Sequence, residues 1–477
     1  MIGAVNYRTY RGIPALAGLG SMAEAVGNLG LSVEQCVTRL KRYHYALKRM
    51  HQIFVARITA EPIYELKTAF SLHGYQCAEH VQALRDRVAE MREPPLHLDA
   101  VPDQDLREFF DEILNAPTTE ELVVGLYEKA VPAVAAGMRR HMRQTHKLAD
   151  APSVRVCKFA LVELAEMREF GDRAIEALVD AERRQARTTW LGVLDALRAR
   201  AGSLDGADEP AVVPVERVYS VQPYVYERVP KRDERFQDPY NGGVNPEAFL
   251  YDPKYPPGPK VLMMFYKRLR EIDVPEMMAS IITETPGKPW GYYLAMTRQL
   301  WDEARHAMMG EVGFVKLGVD WTKIPVNFTW SLNLNTQLTP MERHGVLYFI
   351  EKGLMPKTGK KFEWEVGVAS QEPLSAIFQD YDWADEVLHA RIGTEWYVKE
   401  FKDGNEARDF GDRCWSRVLS QYHDFKRRGL TEHRNWWPEI YADACRARGV
   451  EPDADVMAFN QTYESVRADL KEISASG

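Results

Sequence analysis

Cysteine is scarce in this chain. Five occur in 477 residues (Cys36, Cys77, Cys157, Cys414 and Cys445), scattered and without a Cys-x-x-Cys pair. That excludes a zinc ribbon, a cysteine-ligated iron–sulfur cluster and a disulfide scaffold, and it points to a reducing, cytoplasmic setting. Long hydrophobic runs are missing as well. None approaches the ~18–20 apolar residues of a membrane-spanning helix, and the first twenty residues lack the apolar stretch of a signal peptide. An excess of basic charge is also absent. Lys+Arg is 61 against 69 Asp+Glu, a net charge of −8, which argues against a general nucleic-acid binder. Glycines cluster at Gly18–Gly30, "GLGSMAEAVGNLG", but this stretch follows no strand and is not Gly-x-Gly-x-x-Gly, so it carries no nucleotide fingerprint.

What is present is helical. From about 32 to 200, apolar residues recur three and four apart with Arg, Glu and Lys between them, and prolines break the pattern into helix-length segments. Residues 201–259 differ. They hold ten of the 27 prolines and several aromatics (Tyr219, Tyr224, Tyr226, Phe236, Tyr240, Phe249), the texture of an extended connector that packs onto a domain. From 260 the helical pattern returns. It predicts helices over 260–284, 289–317, from Thr339-Pro340 to before Pro356, and from Glu372-Pro373 to about 402. Outer helices are expected over 405–428 and 453–473. A short strand is conceivable in "VNFTWSLNLN" within the 318–338 loop. The class is all-α, with an N-terminal helical bundle (1–200), the connector (201–259) and a C-terminal helical domain (260–477).

Two segments carry chemistry. Asp302-Glu303-Ala304-Arg305-His306 and Asp385-Glu386-Val387-Leu388-His389 each place Glu-x-x-His in a helical pattern. Residues three apart share a helix face, so the carboxylate and the imidazole reach one ion. One such match is weak, because surface helices are rich in Glu. Two copies, both Asp-Glu-x-x-His and both set among bulky apolar residues, bury charges that need a partner. Two Glu-x-x-His motifs plus one Glu from each of two further helices make the di-iron or di-manganese site of a four-helix bundle. Oxygen and nitrogen donors suit Fe and Mn without thiolate. Asp302 and Asp385 are placed to accept the other ring N–H of a ligating histidine.

The two motifs resemble those of the ferritin-like di-iron carboxylate superfamily, which includes rubrerythrins, the ribonucleotide reductase small subunit and the bacterial multicomponent monooxygenases. DEARH resembles the Asp-Glu-x-Arg-His form of the monooxygenases. The second copy departs from it with Leu388 in the Arg place. The resemblance covers residues about 260–402. It implies a ferritin-like bundle holding two Fe ions, with Mn/Fe as the alternative pair. It also implies O₂ activation and oxidation of a small organic substrate, with electrons from a separate reductase or ferredoxin. Iron or peroxide handling, and a non-enzymatic scaffold with a structural metal, are the alternatives.

The bridging glutamates are read from helical wheels. Glu276 falls on the apolar line Leu262, Phe265, Leu269, Ile272, whereas Glu271 falls beside Lys267 on the polar side, so Glu276 is preferred and Glu271 kept as the alternative. Glu351 sits amid apolar residues in "VLYFIEKGLM". Glu342 belongs to a capping box, Thr339-Pro340-Met341-Glu342, so Glu351 is preferred and Glu342 kept. The expected metal set is therefore Glu276, Glu303, His306, Glu351, Glu386 and His389, with no catalytic residue beyond it. Trp301, Tyr381 and Trp383 beside the motifs read as core packing, and "KTGKK" (357–361) as a solvated turn.

The N-terminal half echoes this pattern. An offset of 226 sets Cys77 on Glu303 and His80 on His306; an offset of 223 sets Glu128, Glu163 and Glu166 on Glu351, Glu386 and His389, and Met50 falls opposite Glu276. The ligand set is incomplete there, so the half reads as a degenerate repeat without a metal, its "GMRRHMRQTHK" as a basic solvated face. A homodimer or partner surface is a further use for it.

Overall fold

The computed structural model describes residues 10–13, 27, 29–91, 96–353, 355, 359–419 and 422–462. Among these residues the secondary structure is helical, without a strand, and no helix is long and apolar enough to cross a membrane. Most of the glycine-rich stretch, Lys357 and Thr358 of the basic turn, and residues 463–473 of the last expected helix lie outside the described residues.

The chain divides into two compact units, residues 1–54 with 73–225 and residues 55–72 with 226–477. The connector thus splits instead of standing alone, and each part is held by its own unit. In the first unit the Glu112 carboxylate accepts backbone N–H bonds from Val218, Tyr219 and Ser220 and the Trp190 indole N–H. In the second, Lys231 N–H donates to the Thr59 carbonyl, and Tyr64 N–H to Asp233. Phe236 packs between Tyr64 and Trp321, and Phe249 stacks on Tyr255.

The first unit draws on α1 (Val33–Arg57) and α2 (Tyr64–Ala89), whose facing ends (55–72) belong to the second unit. It continues with α3 (Gln104–Leu114), α4 (Thr119–Val123), a π-wound turn (Val124–Ala130), α5 (Val131–Gln144), α6 (Ala151–Leu178) and α7 (Thr188–Arg200). Asp103 caps α3 by accepting Leu106 N–H. Of the residues mapped onto the metal motifs, His80 and Glu163 meet, but among the described residues they form no group of three that could hold an ion. His80 lies 2.7 Å from Glu163, Glu128 pairs with Arg184, Glu166 is exposed and Cys77 is buried. His141 is not on a solvated face. It is fully buried and bonds Asp150 at 3.0 Å. Asp150 also takes Thr145 and Arg87, with Cys36 beside it; Cys36, His141 and Asp150 lie close enough to share one ion, and His141 Nδ1 has no hydrogen-bond partner among the described residues.

In the second unit α8 (Pro257–Leu269), a 3₁₀ turn (Arg270–Ile272) and α9 (Asp273–Thr283) form one broken segment. It is followed by α10 (Trp290–Lys316), α11 (Thr329–Gln337), α12 (Pro340–Gly353), α13 (Lys360–Ala369), α14 (Pro373–Trp396), α15 (Gly404–Leu419) and α16 (Trp437–Arg448). The α8–α9 segment packs on α10, α10 on α14, α14 on α12, and α12 back on α9, closing a ring of four. The strand considered in "VNFTWSLNLN" is instead α11. Ser331 and Asn335, four apart, both reach Glu276; one helical turn brings them together, whereas in a strand they would stand roughly 13 Å apart.

One close crossing sets the register of α10 against α8. A Cβ on Gly310 would sit 2.3 Å from the Leu269 nitrogen and 2.5 Å from the Phe265 oxygen. Those are backbone atoms and cannot swing away, so the helices must part. Gly310→Ala is expected to destabilise the second unit by at least ~1–3 kcal/mol, the cost of overpacking, read from the urea midpoint at unchanged slope.

Candidate metal centre

The two motifs face each other across α10 and α14. His389 Nδ1 lies 3.1 Å from Glu303 Oε1 and 3.8 Å from both Glu351 Oε1 and Glu386 Oε2. His306 Nδ1 lies 3.4 Å from Glu271 Oε2 and 3.6 Å from Glu303 Oε2. Two overlapping groups result, Glu303–Glu351–Glu386–His389 and Glu271–Glu303–His306, each compact enough for one ion. A third, His306–Asp382–Glu386, adds Asp382. Glu303 belongs to the first two, with one carboxylate oxygen toward each histidine.

Six atoms define the centre. Glu271 Oε2, Glu303 Oε1, Glu351 Oε2, Glu386 Oε2, His306 Nδ1 and His389 Nδ1 are each buried without a hydrogen-bond partner. Buried polar atoms rarely go unsatisfied. Here one falls on each of six residues, and all six converge.

The outer groups are already engaged, in a crossed arrangement. His306 Nε2 is 3.1 Å from Asp385 Oδ2, and His389 Nε2 is 3.5 Å from Asp302 Oδ2. Each histidine is therefore oriented by the aspartate of the opposite motif. Arg305 joins the two aspartates, at 2.7 Å to Asp385 and in a short contact to Asp302, while Arg298 adds 2.9 Å to Asp302. Donating Nε2–H to an aspartate fixes the tautomer and turns Nδ1 toward the centre. Gln299 donates to Glu351 Oε1 at 3.1 Å, which leaves Oε2 for the interior.

Electrostatics follow from crowding carboxylates in a dry site. Burial raises the Glu351 carboxyl far above its usual range, and the neighbouring Glu386 charge adds to this. Burial also opposes ionisation of Glu303, but the two histidines outweigh it and draw its value down to about 2. Burial disfavours the charged His306 ring, yet Asp385, Glu271 and Glu303 together push it up to about 10, and His389 is raised likewise by Asp302 and Glu303. A cation binding here would compete with protons for the same atoms.

The sequence expectation of Glu276 is corrected here. Glu276 is fully buried but away from the centre. Lys67 Nζ bonds it at 2.7 Å and Arg232 Nη2 at 2.9 Å, and Ser331 donates to it at 3.0 Å. Glu271 stands at the centre instead. The helical wheel assumed an unbroken helix, but the 3₁₀ turn at Arg270–Ile272 shifts the phase. Glu351 lies in the centre. Glu342 remains in its capping box, accepting Thr339 N–H at 2.8 Å.

Several participants escaped the sequence reading. Asp382, one turn before Glu386, is fully buried. Lys360, read as part of a solvated turn, opens α13 with its ammonium buried, 2.8 Å from both Asp382 and Glu386. Arg268 contacts Asp382 closely and Glu271 at 2.9 Å. Tyr381, expected in the core, is 63% exposed, and Trp301 and Trp383 are only half-buried.

A cavity of about 220 Å³ opens onto Glu271, Glu303, Glu351 and Glu386. Its other walls are mainly apolar, with Val274, Met277, Leu334, Leu347 and Ile350 among them. Its charged walls are paired off, Arg270 to Glu247 and Lys267 to Glu363. No family model, curated protein or solved structure matches the chain.

Proposed function

We propose that the second unit is an O₂-activating non-haem di-iron oxidoreductase acting on a small organic substrate, and that its ring of four helical segments is a ferritin-like bundle. The observation that carries this reading is the convergence of six buried, unpartnered donor atoms, four carboxylate oxygens and two imidazole nitrogens. That donor set fits Fe, and also Mn, without sulfur. Glu303, Glu351, Glu386 and His389 would hold one ion; Glu271, Glu303 and His306 would hold the other, with Asp382 in reach. When bound, the reduced metal pair supplies the electrons that activate dioxygen.

The chain does the rest. Asp385 and Asp302 keep both imidazoles turned inward. The apolar cavity admits a substrate body next to the carboxylates and limits water there. Electrons come from a separate reductase or ferredoxin.

Metal content of the purified chain tests this first. About two Fe per chain after anaerobic reconstitution is expected for a di-iron carboxylate centre, with a marked loss in His306→Ala and in His389→Ala. Substrate-dependent oxygen uptake then separates an oxygenase from an iron- or peroxide-handling protein. A chain that stays metal-free, with both variants as stable as the parent, would sink the reading.

A further inference from the structure

The two halves of the centre are not equivalent in charge. At the Glu303–Glu351–Glu386–His389 position, among the described residues, one permanent cation is in contact with a ligand, Lys360 on Glu386 Oε1. At the other position two permanent cations bear on the carboxylates, at Glu271 and Asp382. Arg268 holds Glu271 Oε1 at 2.9 Å and also contacts Asp382; Lys360 holds Asp382 at 2.8 Å. Both cationic side chains are almost wholly buried, 1% and 0% exposed. They cannot be moved into water without leaving buried carboxylates unpaired.

Resting on the di-metal reading above, we infer that the centre loads in a fixed order. The Glu303–Glu351–Glu386–His389 position fills first, and Lys360 with Arg268 holds the Glu271–Glu303–His306 position, with Asp382, at lower affinity. A divalent ion there meets a guanidinium and an ammonium a few ångströms away, in a medium that screens them poorly. It also meets carboxylates whose charge is already neutralised. The first ion meets Glu303 and Glu351, which among the described residues hold no ion pair with Lys or Arg, and shares only Glu386 with Lys360. The consequence is a stable one-metal form, and a second position open to a different ion from the first.

The test is anaerobic titration of the chelator-stripped full-length chain with Co(II), followed by calorimetry and by the visible absorption of the bound ion. Two equivalents are expected, the second at least tenfold weaker. In Lys360→Met the second equivalent tightens at least tenfold relative to the first. In Lys360→Arg, which keeps the charge, the gap persists. Asp382→Asn weakens the second equivalent at least tenfold and the first less than threefold. Should Lys360→Met not fold, Lys360→Gln retains a polar terminus for Asp382 and is read the same way. Two equal equivalents in the wild-type chain overturn the inference, as does an unchanged ratio in a folded, charge-removed variant. A flat titration in every variant is a different result, since it removes the metal centre itself and the proposed function with it.

Discussion

Glu303→Gln is expected to empty the proposed metal centre, whereas Glu271→Gln is expected to empty half of it. Glu303 directs Oε1 to His389, at 3.1 Å, and Oε2 to His306, at 3.6 Å. One carboxylate thus serves both groups of ligands. The amide has nearly the same shape, but it offers one weaker oxygen and presents N–H donors where an ion must sit. Loss of an outer-shell partner already costs ~10–100-fold in metal affinity, so loss of a bridging ligand should exceed ~100-fold at both positions. Glu271 belongs to one group only, and its amide variant should keep about one ion per chain. Metal analysis of both variants, beside circular dichroism to show intact helices, checks the pair. Equal retention in the two would remove Glu303 from its bridging role.

Glu276→Gln should do the opposite, leaving metal content unchanged and sharply weakening the fold. Its carboxylate is fully buried between Lys67 and Arg232, both also buried. Removing one member of such a cluster strands the others as uncompensated charges, at about 3–5 kcal/mol. The pH dependence has a definite sign. Burial opposes ionisation of Glu276, but Arg232 and Lys67 hold its carboxyl below the ordinary value. A depressed folded value gives stability that is present above the unfolded value and lost as pH falls through the folded one. The wild-type chain should therefore lose this contribution on the acid side, and the Gln variant should have a flatter acid limb. Asp273 nearby runs the other way. Burial first, and then the Glu276 charge, push it up to about 7 against Arg232. Urea unfolding from about pH 2 to 8, set against metal analysis at neutral pH, separates this structural role from a ligand role.

These two glutamates also mark where sequence reading stops. The helical class and most segment boundaries follow from local periodicity, and the Glu-x-x-His pairs are legible because both members sit on one turn of one helix. Choosing between Glu271 and Glu276 is not local. It depends on a 3₁₀ turn that breaks the wheel's phase, and on cations 209 and 44 residues away in the chain. Lys360 is harder still. A Lys-Thr-Gly-Lys-Lys run has the composition of a solvated turn, and only the packing of α13 against α14 shows its ammonium among carboxylates. Asp382 carries a signal in hindsight, four residues before Glu386 on the same face. Asp302 and Asp385 were legible as residues that support histidines, but their exchange of partners was not, because it depends on how the two helices face each other.

That exchange has a consequence for rebuilding the centre elsewhere. Since each imidazole takes its orientation from the neighbouring helix, neither helix is a self-contained part. A graft of α10 alone would arrive with His306 unaimed, and a graft of α14 alone would leave His389 turning freely. The smallest portable piece is the facing pair with Arg305 between the aspartates. The same coupling makes the centre a gauge of helix position. A slide of α10 along α14 would turn both rings together, so wear at one end of the pair is felt at the other.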